Sequence, residues 1–285
     1  MIVLTGGNGR LGRALAKALH DAGLTSEVTV ATRDPAAVED LAALGFRVVA
    51  ADFGDPRSLD EAFLGAGTLV MISATGPAPI RIPLHRSAID AAVRARVGRI
   101  VYTSRVAPYA SSPYPFSAIH DDSEARIRES GISYTFLRNN EFTENLDPWL
   151  ADAVETGKLL FGAKGPIAFI SRAAVVASAV AVITGDAHDG ATYELSGPEA
   201  LDRHGLATVL AEATGSGIVA SNGTADDFAA TLAAQGRPPF VVEMGKGLYA
   251  AAEAGEWSAT SSDPERLTGT PPMPVSDHIR AKFHR

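Results

Sequence analysis

The 285-residue chain contains no cysteine, which excludes disulfides, thiolate nucleophiles and cysteine-ligated metal sites. It also lacks an excess of positive charge: 25 Lys and Arg stand against 33 Asp and Glu, a net charge of −8. A broad surface for nucleic acid or an anionic membrane is not expected, although a local basic pocket is compatible with that balance. Long apolar runs are missing as well. The longest, residues 173–183, is too short for a membrane span and contains Ser178. A strand-like run begins at the first residue, leaving no stretch that reads as a signal peptide, so a cytoplasmic location is the expectation. Internal repeats and low-complexity linkers are also lacking. What is present is apolar content, 46% of the residues, enough for a sizeable core in one large domain or a domain with a smaller lobe.

The front of the chain reads MIVLTGGNGRLGRALAKALHDA. Ile2 to Thr5 is a short β-branched, apolar run, and Leu11, Leu15, Ala18 and Leu19 recur at helical spacing. Between them lie Gly6, Gly7, Asn8, Gly9, Arg10 and Leu11, closed by Gly12. Strand, glycine turn and helix thus follow in order. Glycine permits a tight turn and close approach of a ligand, and the unpaired N–H groups at the start of the helix favour a phosphate. A glycine triplet alone is a common feature; between a strand and a helix at the head of a βαβ pattern it becomes a nucleotide motif. The competing reading is a strand–helix turn with no ligand.

Strands at 27–32, 46–51, 68–73, 99–103 and 133–138 alternate with helices at 36–44, 56–64, 82–95 and 117–130. This rhythm predicts an α/β, Rossmann-type doubly wound parallel sheet. Past residue 145 it weakens, with helices at 149–156, 172–183, 206–213 and 226–235 and a strand at 191–196. Pro238, Pro239, Pro271, Pro272 and Pro274 mark turns. The expected division is an NAD(P)-binding Rossmann domain over 1–145 and a smaller, mostly helical substrate lobe over 146–285, interleaved with the sheet domain.

The end of the second strand chooses between dinucleotides, an acid suiting the ribose hydroxyl of NAD and an arginine the 2′-phosphate of NADP. Here Ala31-Thr32 carries no acid and Arg33 follows, which favours NADP(H); Asp34, one step on, keeps NAD(H) open. Arg10 is placed to reach the same phosphate. The competing role for Arg33 is a surface pair with Asp34 or Asp52. Asp52 is suited to accept from the adenine amino group, with Phe53 beside the ring, or to cap the helix before Pro56.

Several blocks together resemble the NmrA-like, atypical short-chain dehydrogenases, and most of all their NAD(P)H:quinone oxidoreductase and triphenylmethane reductase branch. These are TGGNGRLG (5–12), ATRDP (31–35), ADFGD (51–55), HRSAIDAA (85–92), YTS (102–104), SGISYTFLRNNEFTEN (130–145) and YELSGPEAL (193–201). The resemblance covers residues 1 to about 200 and thins beyond. It implies cofactor contacts at Gly6–Gly12, Arg33, Ser73, Ala74, Thr103, Asn139 and Asn140, with Ile170 near the nicotinamide half. Relatives often carry a lysine where Ala125 stands, so a lysine-assisted step does not carry over.

The proton relay of ordinary short-chain dehydrogenases, Tyr-x-x-x-Lys, is absent: Tyr102, Tyr109 and Tyr114 are followed four residues on by Val106, Pro113 and Ala118. Reducing a simple ketone creates a basic alkoxide and gains greatly from a positioned acid. A quinone gives a far less basic hydroquinone anion, and a cationic dye leaves nothing to protonate. Such acceptors react by alignment with the cofactor. The expected function is therefore an NADPH-dependent reductase of a conjugated small molecule; the alternative is a non-catalytic NAD(P) sensor. His120 is the candidate proton donor, a capping or surface residue being its other reading. Tyr109 and Phe142 are candidates for an apolar wall over a flat substrate, or for the core. Glu141 reads as a solvated loop residue and His85 as structural, at a helix start. No second histidine stands at metal spacing, so no metal is assigned. An oligomer is open.

Overall fold

The computed structural model describes residues 1–161 and 163–284. In chain order the strands are β1 (Ile2–Thr5), β2 (Val28–Thr32), β3 (Arg47–Ala50), β4 (Thr68–Met71), β5 (Arg99–Arg105), β6 (Ser133–Asn139), β7 (Lys158–Leu159), β8 (Ala191–Leu195) and β9 (Val219–Ala220). The helices are α1 (Arg10–Asp21), α2 (Glu39–Ala43), α3 (Pro56–Phe63), α4 (Ala78–Arg94), α5 (Ser117–Glu129), α6 (Asp147–Thr156), α7 (Arg172–Thr184), α8 (Arg203–Thr214), α9 (Ala225–Ala234), α10 (Pro239–Glu253), α11 (Asp263–Thr268) and α12 (Val275–Phe283).

The chain divides into two compact units, one comprising Met1–Arg105, Ile119–Arg138 and Val176–Tyr193, the other Val106–Ala118, Asn139–Val175 and Glu194–Arg285. They take nearly equal shares of the chain, where the sequence suggests a smaller second lobe, because Val106–Ala118 and Asn139–Val175 belong with the C-terminal stretch.

Among the described residues, seven strands form one sheet in the order β3-β2-β1-β4-β5-β6-β8. The pairs β1–β2, β1–β4, β2–β3 and β4–β5 are parallel. Buried on both faces, such strands need apolar side chains throughout, and all five residues of β2 are buried. α1 lays Gly12, Leu15, Ala16 and Leu19 inward at helical spacing. The first unit's core joins Val3, Leu69, Met71, Ile89, Ile100, Tyr102 and Phe136. The strand order reverses between β1 and β4, and in an open parallel sheet that switch point is where nucleotides bind.

Local chemistry shifts several boundaries. Thr25–Glu27 is a 3-10 turn ahead of β2. After β2, Pro35–Val38 is another 3-10 turn, capped by the Asp34 carboxylate accepting from Ala36 N–H at 3.1 Å. α4 starts at Ala78 rather than residue 82. Proline is tolerated in a first turn, and the helix runs on through Pro83.

The second unit is mostly helical. A two-stranded sheet pairs β7 with β9, and Trp149, Phe161, Phe228 and Tyr249 cluster, with the Phe228 and Tyr249 ring centroids 4.8 Å apart. Pro239, read as a turn, is the first residue of α10, where its missing N–H costs nothing.

Candidate functional site

The glycine loop leaves β1 through Gly6, whose φ of +70° lies in the left-handed region. A Cβ on Gly12 would meet the Gly6 carbonyl oxygen at 2.2 Å, and one on Gly7 would meet Val30 Cγ1 at 2.3 Å. These glycines are therefore required by the chain's own close packing before any phosphate is considered. Gly9 has the most room of the set, its nearest contact standing at 3.3 Å. The turn closes through Gly9 N–H to the Gly6 carbonyl at 2.9 Å and Arg13 N–H to the Gly9 carbonyl at 2.9 Å. Among the described residues, no acceptor reaches the N–H groups of Asn8, Arg10, Leu11 and Gly12. Unpaired amides at the start of a helix are the donor set that a pyrophosphate requires.

The arginines divide. Arg13 donates to Asp40 at 2.6 Å and to the Asn8 side-chain oxygen at 3.1 Å, and also to the Ala37 carbonyl, so it braces the loop. Arg10 and Arg33 are exposed and make no ion pair among the described residues. The surface pair of Arg33 with Asp34 or Asp52 is not formed, since Asp34 caps the 3-10 turn. The Asp52 carboxylate turns onto Gly54 N–H at 2.9 Å, while the N-cap of α3 is Asp55, which corrects the capping role considered for Asp52. Phe53 is half-buried, its ring edge-on to His85 at 6.2 Å.

Beyond β4 the ladder ends, and side chains take over its hydrogen bonds. Thr5 Oγ1 accepts from Ile72 N–H at 3.0 Å, Thr103 Oγ1 from Ser73 N–H at 3.0 Å, and His85 Nε2 from Ala74 N–H at 3.0 Å. Thr103, 4% exposed, thus supports Ser73 rather than presenting itself to a ligand. His85 is two turns inside α4, not at its start, and fully buried. Its Nδ1 lies 2.8 Å from Ser123 Oγ, whose own proton goes to the Ile119 carbonyl at 2.7 Å. The hydrogen-bond directions therefore assign the proton to Nδ1. Burial, with Arg81 nearby, pushes the His85 ring down to about 3, so it is neutral in ordinary buffers.

His120 is buried in the first turns of α5, which excludes its surface reading. Its Nδ1 stands 2.9 Å from the Tyr102 hydroxyl, itself fully enclosed. Burial first, then Arg81, His85 and Arg105, hold His120 well below the usual histidine range. A neutral ring accepting from Tyr102 at Nδ1 carries its proton on Nε2, and Nε2 has no partner among the described residues and is not sealed from solvent. Burial pushes the Tyr102 phenol up, so it does not ionise in ordinary buffers. Deeper in, Glu124 accepts from Ser104 at 2.6 Å, from Arg128 at 2.9 Å and from both forks of Arg138 at 2.9 and 2.7 Å.

Residues assigned to the nicotinamide and substrate lie in the second unit or at its edges. Asn140 is engaged within the chain, donating to Ser196 Oγ and the Trp257 carbonyl at 3.0 Å each while its oxygen accepts from Glu141 N–H, so it ties this loop together. Asn139 is buried with its side-chain oxygen unpartnered among the described residues. Ile170 is fully buried, and its N–H and carbonyl bond to Glu141 and Thr143. Glu141 is buried rather than a solvated loop residue, and its carboxylate accepts from Asn145 at 2.7 Å. Phe142 is half-buried under the Arg172 guanidinium, and Tyr109 is 56% exposed, so neither belongs to the core. Among the described residues no group of three metal-ligating side chains occurs, and no helix is long and apolar enough to cross a membrane.

The sequence pattern assigns no site role to Thr5, Arg81 or the Glu124 cluster, and considers Tyr102 only as a relay tyrosine lacking its lysine. One signal was available: Arg81 and His85 stand four apart on one helix face, opposite a β5 run too apolar to leave Tyr102 without a polar partner.

Residues 6–186 match the family of NAD(P)H-binding domains. The chain is 33% identical to quinone oxidoreductase 2 of Escherichia coli over the whole of this chain and 99% of that one. The crystal structure of that NADPH-dependent enzyme with NADPH superposes with a TM-score of 0.93, covering 100% of both chains. Citrobacter triphenylmethane reductase with NADP(H) is 28% identical and superposes at 0.90 over 99% of each chain. The NAD(P)H azoreductase of Xenophilus azovorans is 25% identical over 99% of this chain and 97% of its own.

Proposed function

The chain belongs to the NAD(P)H-binding oxidoreductase family, in its NmrA-like branch with quinone oxidoreductase and triphenylmethane reductase, and from that premise we propose that it is an NADPH-dependent reductase of quinones or similarly conjugated small molecules. Asn8, Arg10, Leu11 and Gly12 offer their amides to the pyrophosphate, and Arg33, with Arg10, meets the 2′-phosphate. Asp34, spent on its cap, gives little pull toward the hydroxyl of NADH.

The observation that carries the choice of acceptor is the sealed, un-ionised Tyr102 in a chain without a Tyr-x-x-x-Lys relay. The enclosed Tyr102 is not placed to protonate a strongly basic alkoxide on a substrate. A nicotinamide held here would supply hydride, which an electron-poor conjugated acceptor would take without needing a strong acid. His120 contributes as a neutral donor. Tyr102 holds its Nδ1, and Nε2–H is free to meet negative charge developing on a quinone oxygen.

Loss of NADPH absorbance on adding benzoquinone, a cationic triphenylmethane dye or an azo dye tests the reading. Turnover with at least one is expected. Tight NADPH binding with no acceptor-dependent oxidation would overturn it in favour of an NAD(P) sensor.

A further inference from the structure

Three successive backbone donors past the end of β4 are consumed by three side chains from three different elements. Thr5 on β1 takes Ile72 N–H, Thr103 on β5 takes Ser73 N–H, and His85 on α4 takes Ala74 N–H, each at 3.0 Å. The Thr5 hydroxyl passes its own proton to the Val70 carbonyl at 3.2 Å, so it is held from both sides. Among the described residues, no hydrogen bond reaches the carbonyl oxygens of Ile72, Ser73 or Ala74. All three residues are half-buried, which leaves the segment partly open to solvent. The segment is therefore a fixed ledge that presents acceptors and no amide donors. Next to it, the glycine loop offers the reverse, unpaired donors suited to phosphate.

His85 is the most specific of the clamps, because its two nitrogens do different work. Ser123 Oγ gives its proton to the Ile119 carbonyl, so it accepts from His85 Nδ1–H. That fixes Nε2 as the bare nitrogen that takes Ala74 N–H. Arg81, one turn earlier in α4, donates to Ser73 Oγ and reinforces the same stretch. Phe53 and Tyr102 pack edge-on against the ring at centroid distances of 6.2 and 6.0 Å.

We infer that His85 is a positioning residue for the nucleotide: by accepting from Ala74 N–H it holds the Ile72–Ala74 carbonyls where a ligand hydroxyl or carboxamide, not a phosphate, can donate to them. The inference rests on the nucleotide reading above, and it concerns binding rather than turnover. A ledge held in one conformation before the ligand arrives spares the cost of ordering it on binding.

Two half-replacements separate this from a merely structural role. A glutamine reaches the place of Nε2 and keeps an acceptor for Ala74; an asparagine reaches the place of Nδ1 and keeps a donor for Ser123. Each keeps the bonds on one side of the ring, Ala74 and Ser73 or Ser123 and Tyr102, and loses those on the other, so thermal unfolding should shift similarly in both. NADPH titration by fluorescence should show His85→Gln within about twofold of the unsubstituted chain and His85→Asn weakened about tenfold, the size expected for one lost bond of this kind. Equal NADPH affinity in the two folded variants would overturn the inference. Exchange of the Ala74 amide, followed by NMR in the unsubstituted protein without nucleotide, gives an answer that needs no variant. Protection is expected, and fast exchange removes the clamp. Failure of the unsubstituted protein to bind NADPH would instead bring down the nucleotide reading, while the amide measurement still reports on the clamp.

Discussion

Arg33 follows β2 with no ion-pair partner among the described residues, beside an aspartate whose carboxylate caps a turn. A free guanidinium at that position meets a 2′-phosphate with charge-assisted hydrogen bonds, each worth about 1.5–3 kcal/mol. Arg33→Ala should therefore raise the NADPH dissociation constant by about ten- to a hundredfold and change NADH binding by about twofold at most. Calorimetry with both nucleotides measures this, and an equal loss for the two would dissociate Arg33 from the phosphate. At His120 the same scale of reasoning concerns a proton. A ring that burial holds well below the usual histidine range stays neutral through neutral and alkaline pH, so turnover governed by its Nε2–H should show no step near pH 6.5. His120→Ala should lower kcat about tenfold or more, as expected for removing one donor from a developing oxyanion. A variant with unimpaired kcat, or a parent enzyme whose kcat follows a group titrating near pH 6.5, would take His120 out of the reaction.

The strand–loop–helix element at the front of the chain depends on packing closer than any side chain permits. With a Cβ only 2.2 Å from the Gly6 carbonyl oxygen, Gly12→Ala must push α1 away from the turn. Overpacking of this kind costs about 1–3 kcal/mol, so the urea midpoint should fall and NADPH binding should weaken sharply; Gly9→Ala, with its 3.3 Å contact, should do less of both. The order of elements through β6 was legible because most of the strands combine a buried apolar run with a turn residue of known chemistry, as in β2 followed by Asp34-Pro35. The geometry of the glycine loop and the exposure of Arg33 were legible for the same reason: both are set by neighbours in sequence. Helices α10, α11 and α12 were not recovered, since Pro239, Pro264 and Pro274 act there as starts rather than breaks. The roles of Thr5, His85 and Tyr102 were illegible on different grounds. Each bonds partners on other elements, Thr5 with Ile72, His85 with Ala74 and Ser123, and Tyr102 with His120, in a register the local pattern does not contain.

The first unit as a whole carries two histidines that fold only in their neutral form. His85 and His120 lie on neighbouring helices around the enclosed Tyr102, and the cations nearest them, Arg81 for both and Arg105 for His120, oppose any further positive charge. In the unfolded chain both rings titrate near 6.5. Above that pH, folded and unfolded states bind the same number of protons at these sites and stability is unaffected by them. Below it the unfolded chain takes up protons that the folded one refuses, so stability declines as pH falls, for His85 until about pH 3. For His85 the slope approaches about 1.4 kcal/mol per pH unit, or about 2 kcal/mol by pH 5, and His120 adds to it in the same direction. Urea unfolding should therefore show a stability lower at pH 5 than at pH 7 by about 2 kcal/mol or more, and His120→Asn, which cannot titrate, should make that difference smaller. Stability unchanged between the two pH values would mean that both rings accept protons in the folded protein, and the neutral Tyr102–His120 pair proposed as the donor to the substrate would have to be abandoned.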